Sequence, residues 1–180
     1  MQLIHFMTSY SITKYNPEKR NAQGYYLDHS EWTSIADIGK PAYNNLDYAA
    51  YEKTETAYVD AIKIILNDIN VSCLKVESLE LHMSKEEFEK EETTGKLKNI
   101  NVDFDRDIRK LKNGFELNIE NIEKIIRLIL REMIWMVLVN ENIEIRFGYD
   151  YYMYVSTVHL KPSTISKIEN NGLFVEPDIK

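Results

Sequence analysis

The chain has 180 residues, of which 44% are hydrophobic, and its formal net charge at pH 7 is −7. This length and composition predict one globular domain over residues 1–180, with enough apolar side chains to form a core. The sequence pI of about 5.2 argues against binding of nucleic acid or anionic membrane through bulk charge, and favours a basic partner.

Cys73 is the only cysteine, so neither an internal disulfide nor a cysteine zinc cluster is possible within the chain. We expect its thiol to be buried and structural in preference to nucleophilic. The first residues lack a basic region followed by a long apolar run, so no signal peptide is predicted. No apolar run approaches the roughly 20 residues that a membrane-spanning helix needs. These features together predict a cytoplasmic protein.

The first part of the chain predicts a strand, a loop and one long helix. Residues 3–6 are apolar enough for a short strand, and the polar residues 9–24 are typical of a loop. Residues 30–39 predict a short helix that is capped by a serine and ended by a glycine. Residues 47–69 carry an apolar stripe at helical spacing, with Glu55 assigned to the polar face.

Shorter elements are predicted on either side of the central stretch. Residues 73–81 alternate weakly and predict a strand. Ser84 and Glu87 have the spacing of a capping box, which opens an acidic surface helix that ends before Gly95. Near the end of the chain, residues 162–172 predict a short helix and residues 173–175 a returning strand.

The central stretch begins with a second predicted helix, over residues 119–139. Its apolar residues recur at offsets of three and four, which places them on one stripe. Residues 133–139 are apolar all round, a pattern that fits either a fully buried helix end or a strand. We favour a helix that ends near Asn140, because the polar residues that follow are typical of a stop.

A β-hairpin is predicted next, because apolar and polar residues alternate from Ile143 to Phe147 and again from residue 151 to 156. A three-residue turn at 148–150 would place Phe147 opposite Tyr151, and two further apolar pairs follow from that register. The second face of the hairpin would carry Glu144, Arg146, Tyr152 and Tyr154. In the alternative interpretation another helix covers this face and its tyrosines belong to the core.

Taken together, these elements predict the α+β class. We expect a single domain in which two long amphipathic helices, residues 47–69 and 119–139, pack on one face of a largely antiparallel sheet.

The sequence contains no recognisable motif for a reaction, a metal or a cofactor. Asp103, Asp105 and Asp107 begin like a calcium loop, but Ile108 and Gly114 stand where that loop needs glycine and glutamate. The four histidines are not at ligand spacing, and the glycines are isolated. We therefore expect that the chain binds no metal and no cofactor. The three aspartates are expected to lie on a solvated acidic strand or loop.

Two short stretches carry a family resemblance: residues 31–40 (EWTSIADIGK) and residues 146–154 (RFGYDYYMY). In these stretches the chain resembles the immunity proteins of bacterial polymorphic-toxin and contact-dependent growth-inhibition systems. The resemblance implies a cytoplasmic inhibitor that binds one cognate toxin, often a nuclease, and blocks its active site or substrate surface. Nuclease domains tend to be basic, and an acidic inhibitor is complementary to them.

Two hypotheses follow. The first is a stoichiometric protein inhibitor, and the second is a small-ligand-binding protein or enzyme whose site is assembled only in three dimensions. A structural scaffold is a third possibility. A flat or convex acidic face with tyrosines would favour the first, and a deep pocket lined by histidines or carboxylates the second. Under the first, the aspartates project together from an extended segment and steer a basic toxin, while the hairpin tyrosines anchor it. The predicted partner-binding residues are Asp103, Asp105, Asp107, Tyr149, Asp150, Tyr152 and Tyr154.

Overall fold

The structure of the chain is a computed structural model that describes residues 7–81 and 83–177. Within these residues lie four α-helices and seven β-strands. The helices are α1 (Tyr48–Asp68), α2 (Lys85–Thr94), α3 (Ile122–Leu130) and α4 (Pro162–Asn170). The strands are β1 (Thr8–Thr13), β2 (Cys73–Glu80), β3 (Glu116–Asn118), β4 (Trp135–Asn140), β5 (Ile143–Phe147), β6 (Met153–Thr157) and β7 (Phe174–Pro177).

The strands form one sheet in the order β3-β2-β4-β5-β6-β1-β7, and each neighbouring pair is antiparallel. The mixed helix and sheet content confirms the α+β class and the antiparallel sheet. The strand predicted at residues 3–6 lies outside the described residues. None of the helices in the described part of the chain combines the length and the apolar character needed to cross a bilayer.

Side-chain alternation gives the sheet one apolar face. Leu138, Ile145, Val155 and Tyr10 stand in one row across four strands, and all four are buried. Helix α1 packs against α3 and α4, and their buried side chains join this row in one core. The opposite side of β4, β5 and β6, which we call the open face, carries half-buried or exposed residues: Val137, Glu144, Arg146, Tyr154 and Ser156.

The first predicted long helix is confirmed as α1, whose 21 residues are capped by the side chain of Asp47. The assignment of Glu55 to its polar face is wrong, because that residue is fully buried. The capping box of Ser84 and Glu87 is present at the start of α2, and Gly95 ends that helix in a left-handed conformation. Helix α4 and strand β7 also lie where the sequence predicts them.

The prediction of a second long helix over residues 119–139 is wrong. Helix α3 has nine residues, and the apolar run that follows it contains most of strand β4. The helix ends in a Schellman motif, in which the Met133 N–H binds the Leu128 carbonyl and the Glu132 N–H binds the Ile129 carbonyl. Glu132 takes the left-handed conformation at φ 59°. Glycine usually occupies this position, and a glycine in the sequence would have indicated the end of the helix. Because a glutamate stands here instead, the sequence gives no such indication.

Two predictions near the start of the chain are also wrong. The predicted loop over residues 9–24 contains most of strand β1, which lies between β6 and β7. The predicted helix over residues 30–39 is replaced by a short 3-10 turn, Ile35–Asp37, that is capped by Ser34 and not by Ser30. The carboxylate of Asp37 accepts the N–H groups of Thr33 and Ser34 and thereby closes this turn.

The hairpin is present, but its predicted register is wrong by two residues. Phe147 stands opposite Met153, and Ile145 stands opposite Val155. A shift of two residues keeps every side chain on its predicted face, because side chains alternate with a period of two. The connection is therefore longer than a three-residue turn, and it takes Tyr151 out of the strand.

A buried ionic cluster joins α1 to the end of α3. Glu55 and Arg131 are both fully buried, and Arg131 Nε and Nη2 donate to the two carboxylate oxygens of Glu55 at 2.6 and 2.7 Å. The remaining guanidinium donors bind the Lys96 carbonyl, the Lys98 carbonyl and the Tyr48 hydroxyl at 2.8, 2.7 and 3.2 Å. All five N–H groups of Arg131 are thus satisfied. Burial opposes the positive charge of Arg131, but its bonds to Glu55 outweigh that effect and raise its pKa.

We expect Arg131→Met to lower the free energy of unfolding by about 3–5 kcal/mol, because removal of one partner leaves a buried carboxylate short of donors. Urea denaturation measures this loss. The matched control is Lys161→Met, since Lys161 pairs with Asp68 at the surface and its side chain is 65% exposed. A loss no larger than that of the control would contradict a structural role for the buried pair.

Four tyrosines make the fold sensitive to alkali. Burial raises the pKa of Tyr15, Tyr51, Tyr58 and Tyr151 above the ordinary value of 10.0. The unfolded chain releases these protons near pH 10 while the folded chain keeps them, so stability is fully present below that pH and is lost as pH rises above it. We expect one cooperative alkaline unfolding transition, followed by circular dichroism, in which the part of the phenolate absorbance that comes from these four buried tyrosines rises together with loss of structure. Full tyrosine ionisation in a chain that is still folded would contradict this.

Candidate functional site

The connection between β5 and β6 consists of residues 148–152, and we call it the hairpin loop. The Gly148 N–H binds the Tyr152 carbonyl at 2.7 Å, and the Tyr152 N–H binds the Tyr149 carbonyl at 3.1 Å. Asp150 and Tyr151 both take positive φ angles, of 55° and 63°. Left-handed conformations are costly for such residues, so packing around the loop must hold it in place.

Tyr151 anchors the loop from below. Its side chain is 5% exposed, and its hydroxyl lies 2.9 Å from the Tyr51 hydroxyl and 2.8 Å from the Leu130 carbonyl oxygen. The Tyr58 hydroxyl donates to the Tyr151 carbonyl at 2.6 Å and accepts the Lys14 N–H at 2.8 Å. Helix α1 therefore fixes the loop through two tyrosines that lie seven residues apart, on the same side of the helix.

Tyr149 points the other way and is 93% exposed. The hairpin loop therefore presents a large aromatic side chain to solvent, while Tyr151, two residues further along, is held in the core.

A cleft of about 880 Å³, which we call the apolar cleft, opens on one side of the hairpin loop. Its wall is mainly apolar, with three carboxylates and one guanidinium among the lining side chains. The apolar lining includes Met83, Ile129, Leu130, Met133, Ile134, Trp135, Phe147 and Tyr151, and the charged lining is Glu80, Glu132, Arg146 and Asp150. The left-handed Glu132 at the end of α3 thus brings a carboxylate to the mouth of this cleft.

A smaller cleft of about 290 Å³, which we call the tyrosine cleft, lies on the other side of the loop. Asp150 and Thr33 line both clefts, so the hairpin loop forms the wall between them. The other lining residues are Tyr15, Tyr26, Asp28, His29, Glu31, Tyr43 and Tyr152.

An aromatic ladder connects the tyrosine cleft to the open face. Ring centroids are 4.9 Å apart for Tyr26 and Tyr15, 5.5 Å for Tyr15 and Tyr152, and 6.3 Å for Tyr152 and Tyr154. The Arg146 guanidinium lies over the Tyr154 ring at 4.9 Å. Tyr152 and Tyr154 are half-buried by these neighbours, so they are not core residues. Of the predicted site residues, Tyr149, Asp150, Tyr152 and Tyr154 are therefore brought together on one surface.

The acidic segment differs from its prediction. It is not extended: Phe104–Ile108 forms a single turn of π-helix capped by Asp103. Asp103 accepts the Arg106 N–H at 2.7 Å, and Asp107 accepts the Asp103 N–H at 2.9 Å. The aspartates therefore close their own turn and do not project together from one side of a strand.

Basic neighbours also neutralise this turn. Lys85 and Arg109 both pair with Asp105, and the hydrogen bond from Lys85 lowers the pKa of that carboxyl. The bond from Arg106 lowers the pKa of Asp107 in the same way. Within the described residues, no hydrogen bond or ion pair joins this turn to the hairpin loop. Much of the negative field expected from the three aspartates is therefore compensated within the protein.

Other candidate chemical groups take structural positions. Residues 7–81 and 83–177 hold no cluster of three histidine, cysteine or carboxylate side chains that is able to bind a metal ion. The thiol of Cys73 is half-buried at the start of β2, so the expected full burial is wrong. His159 Nδ1 lies 3.1 Å from the Tyr10 hydroxyl. The arrangement around the hairpin loop is suited to binding by shape, aromatic contact and charge.

Substitution of two tyrosines in the hairpin loop tests how the loop is anchored. We expect Tyr151→Phe to lower the free energy of unfolding by about 1–3 kcal/mol, because it leaves buried hydrogen-bonding groups without a partner. Tyr149→Phe is the matched control and should leave stability unchanged, since that hydroxyl is in solvent. Chemical denaturation of both variants measures the difference. Equal stabilities would show that the loop is not anchored through Tyr151.

Comparison of the chain with protein-family models, with curated protein sequences and with solved structures finds no significant match. The functional assignment therefore depends on the geometry of the hairpin loop and its two clefts.

Proposed function

We propose that the chain is a cytoplasmic immunity protein that binds and neutralises a cognate toxin by stoichiometric protein–protein binding. The observation that carries the proposal is the hairpin loop, which presents Tyr149 at 93% exposure from a rigidly anchored turn. Tyrosine and arginine are the residue types most often found as interface anchors. Arg146, Tyr152 and Tyr154 extend the same surface along the open face.

The charge of the chain supports a basic partner such as a nuclease domain. The net charge is −7, and three carboxylates line the apolar cleft beside the loop. An acidic inhibitor is attracted to the basic surface with which a nuclease holds phosphates, and this attraction raises the association rate. In this scheme the carboxylates guide the encounter, and the tyrosines set the lifetime of the complex.

The acidic turn of Asp103, Asp105 and Asp107 stays part of the proposed surface, with a smaller contribution than that of the hairpin loop. Lys85 and Arg109 compensate the charge of Asp105, whereas Asp150 is exposed and forms no ion pair within the described residues. Steering should therefore depend more on Asp150 than on Asp105.

The test uses the product of the gene adjacent to the one that encodes this chain, which the proposal expects to be the toxin, purified in an inactive form. We expect Tyr149→Ala to raise the dissociation rate enough to weaken binding by about 2 kcal/mol or more. Asp150→Lys should lower the association rate, and the Asp105→Lys variant should lower it less. Surface plasmon resonance at two salt concentrations separates these effects.

Tyr25→Ala is the matched control for the tyrosine, because Tyr25 is 71% exposed and lines neither cleft. Thermal unfolding of each variant checks that the fold is retained. Wild-type affinity in the folded Tyr149→Ala and Asp150→Lys variants would reject this surface. Absence of binding by the wild-type chain to the neighbouring toxin would reject the immunity function itself.

A second candidate function is binding of a small ligand, with or without a reaction. The apolar cleft favours it, because its volume of about 880 Å³ falls within the range of roughly 300–1,000 Å³ that is typical of ligand sites. A ligand in this cleft would contact Met83, Met133 and Trp135 and would be shielded by the hairpin loop. Thermal-shift screening with apolar compounds that carry either a carboxylate or a basic group tests this candidate function independently of any toxin.

A further inference from the structure

The tyrosine cleft contains a polar group that the fold leaves without a partner. Tyr15 is 4% exposed, and its hydroxyl oxygen is buried and lacks a hydrogen bond within the described residues. Tyr15 lines the cleft together with Asp150 and Glu31. Burial raises the pKa of this phenol, and the negative charges of these carboxylates raise it further. A buried hydroxyl without a partner is costly, and a ligand that supplies a hydrogen bond would remove that cost.

The cleft also carries unbalanced negative charge. Asp28 pairs with Lys19 at 2.9 Å, and Glu31 pairs with Lys14 at 2.7 Å. Asp150 also lines the cleft and forms no ion pair within the described residues. The remaining charge therefore favours a cation.

The aromatic walls of the cleft also favour a cation. A lysine of the chain itself, beside the cleft, already lies against aromatic rings. Lys14 Nζ lies 4.3 Å from the ring centroids of both Tyr15 and Trp32, and its side chain is 6% exposed. Burial lowers the pKa of this ammonium group, yet Glu31 and the ring faces retain it in the interior. Tyr26 and Tyr152 also line the cleft and contact the Tyr15 ring, so its walls are rich in tyrosine rings.

We propose that the tyrosine cleft is a binding site for an organic cation, and that a guanidinium group fits it best. A guanidinium donates several N–H groups, so it is able to bind the Tyr15 hydroxyl oxygen and the Asp150 carboxylate together. Its planar shape also stacks on tyrosine rings, which a compact ammonium group does less well. The cation comes either from an arginine side chain of a protein partner or from a free alkylguanidine. The site goes beyond the proposed immunity function and does not depend on it.

The experiment titrates the wild-type chain with three probes and follows amide chemical shifts by NMR. The probes are N-acetyl-arginine-N-methylamide, agmatine and the corresponding citrulline amide, which has the shape of arginine without its charge. We expect saturable shifts of the residues that line the cleft, with a Kd at least tenfold lower for the cationic probes than for citrulline. Tighter binding of the arginine amide supports a partner's side chain as the source, and tighter binding of agmatine supports a free ligand. No saturable shift, or equal binding of citrulline, overturns the proposal.

Two variants connect binding to the named groups. Tyr15→Phe removes only the unpartnered hydroxyl, so we expect unchanged or higher thermal stability together with at least threefold weaker binding of the arginine amide. Asp150→Asn should weaken binding tenfold or more. The control is Glu141→Gln, which removes the same charge from the exposed turn at the other end of the hairpin. Wild-type binding in both cleft variants overturns the assignment. Because no toxin is used, this outcome is distinguishable from failure of the proposed function.

Discussion

The carboxylate of Glu55 is the group on which the arrangement of the helices depends. It lies on α1 with no exposure to solvent, and it accepts hydrogen bonds from Arg127 on α3, from Arg131 just after α3, and from the Tyr51 hydroxyl. A lone buried carboxylate would be strongly unfavourable, so its three donors must stay where they are. The requirement sets the distance and rotation between the helices more strictly than apolar packing alone, which tolerates small shifts.

The same cluster reaches the surface through a chain of hydroxyl groups. Glu55 is bonded to Tyr51, Tyr51 to Tyr151, and the backbone of Tyr151 to Tyr58. The last two of these hydrogen bonds connect core residues of α1 to the hairpin loop that carries Tyr149. The exposed tip is consequently held by polar bonds as well as by packing, and this explains how two consecutive residues keep a left-handed backbone without glycine.

Local patterns in the sequence identify what depends on neighbouring residues, and they miss what depends on distant ones. Helix α1 and the faces of the hairpin follow from periodicity, and the start of α2 follows from its capping box. The end of α3 was missed because Glu132 stands where a glycine would mark a stop. The burial of Glu55 could have been predicted from its spacing, since it lies four residues after Tyr51 and three before Tyr58, on the apolar stripe. The tyrosine cleft had none, because its walls come from segments that meet only in the folded chain.

The position of β1 in the sheet has a consequence for the order of assembly. This strand lies between β6 and β7, and its Ser9 hydroxyl meets that of Ser156, 147 residues further along the chain. During synthesis, β1 has neither of these partners until β6 and β7 have emerged from the ribosome. Closing so long a loop is slow, because its entropy is lost before the strand pairing is gained. The tyrosine cleft, which joins Tyr15 to Tyr152, therefore depends on contacts between segments far apart in sequence, and we expect it to form late in folding.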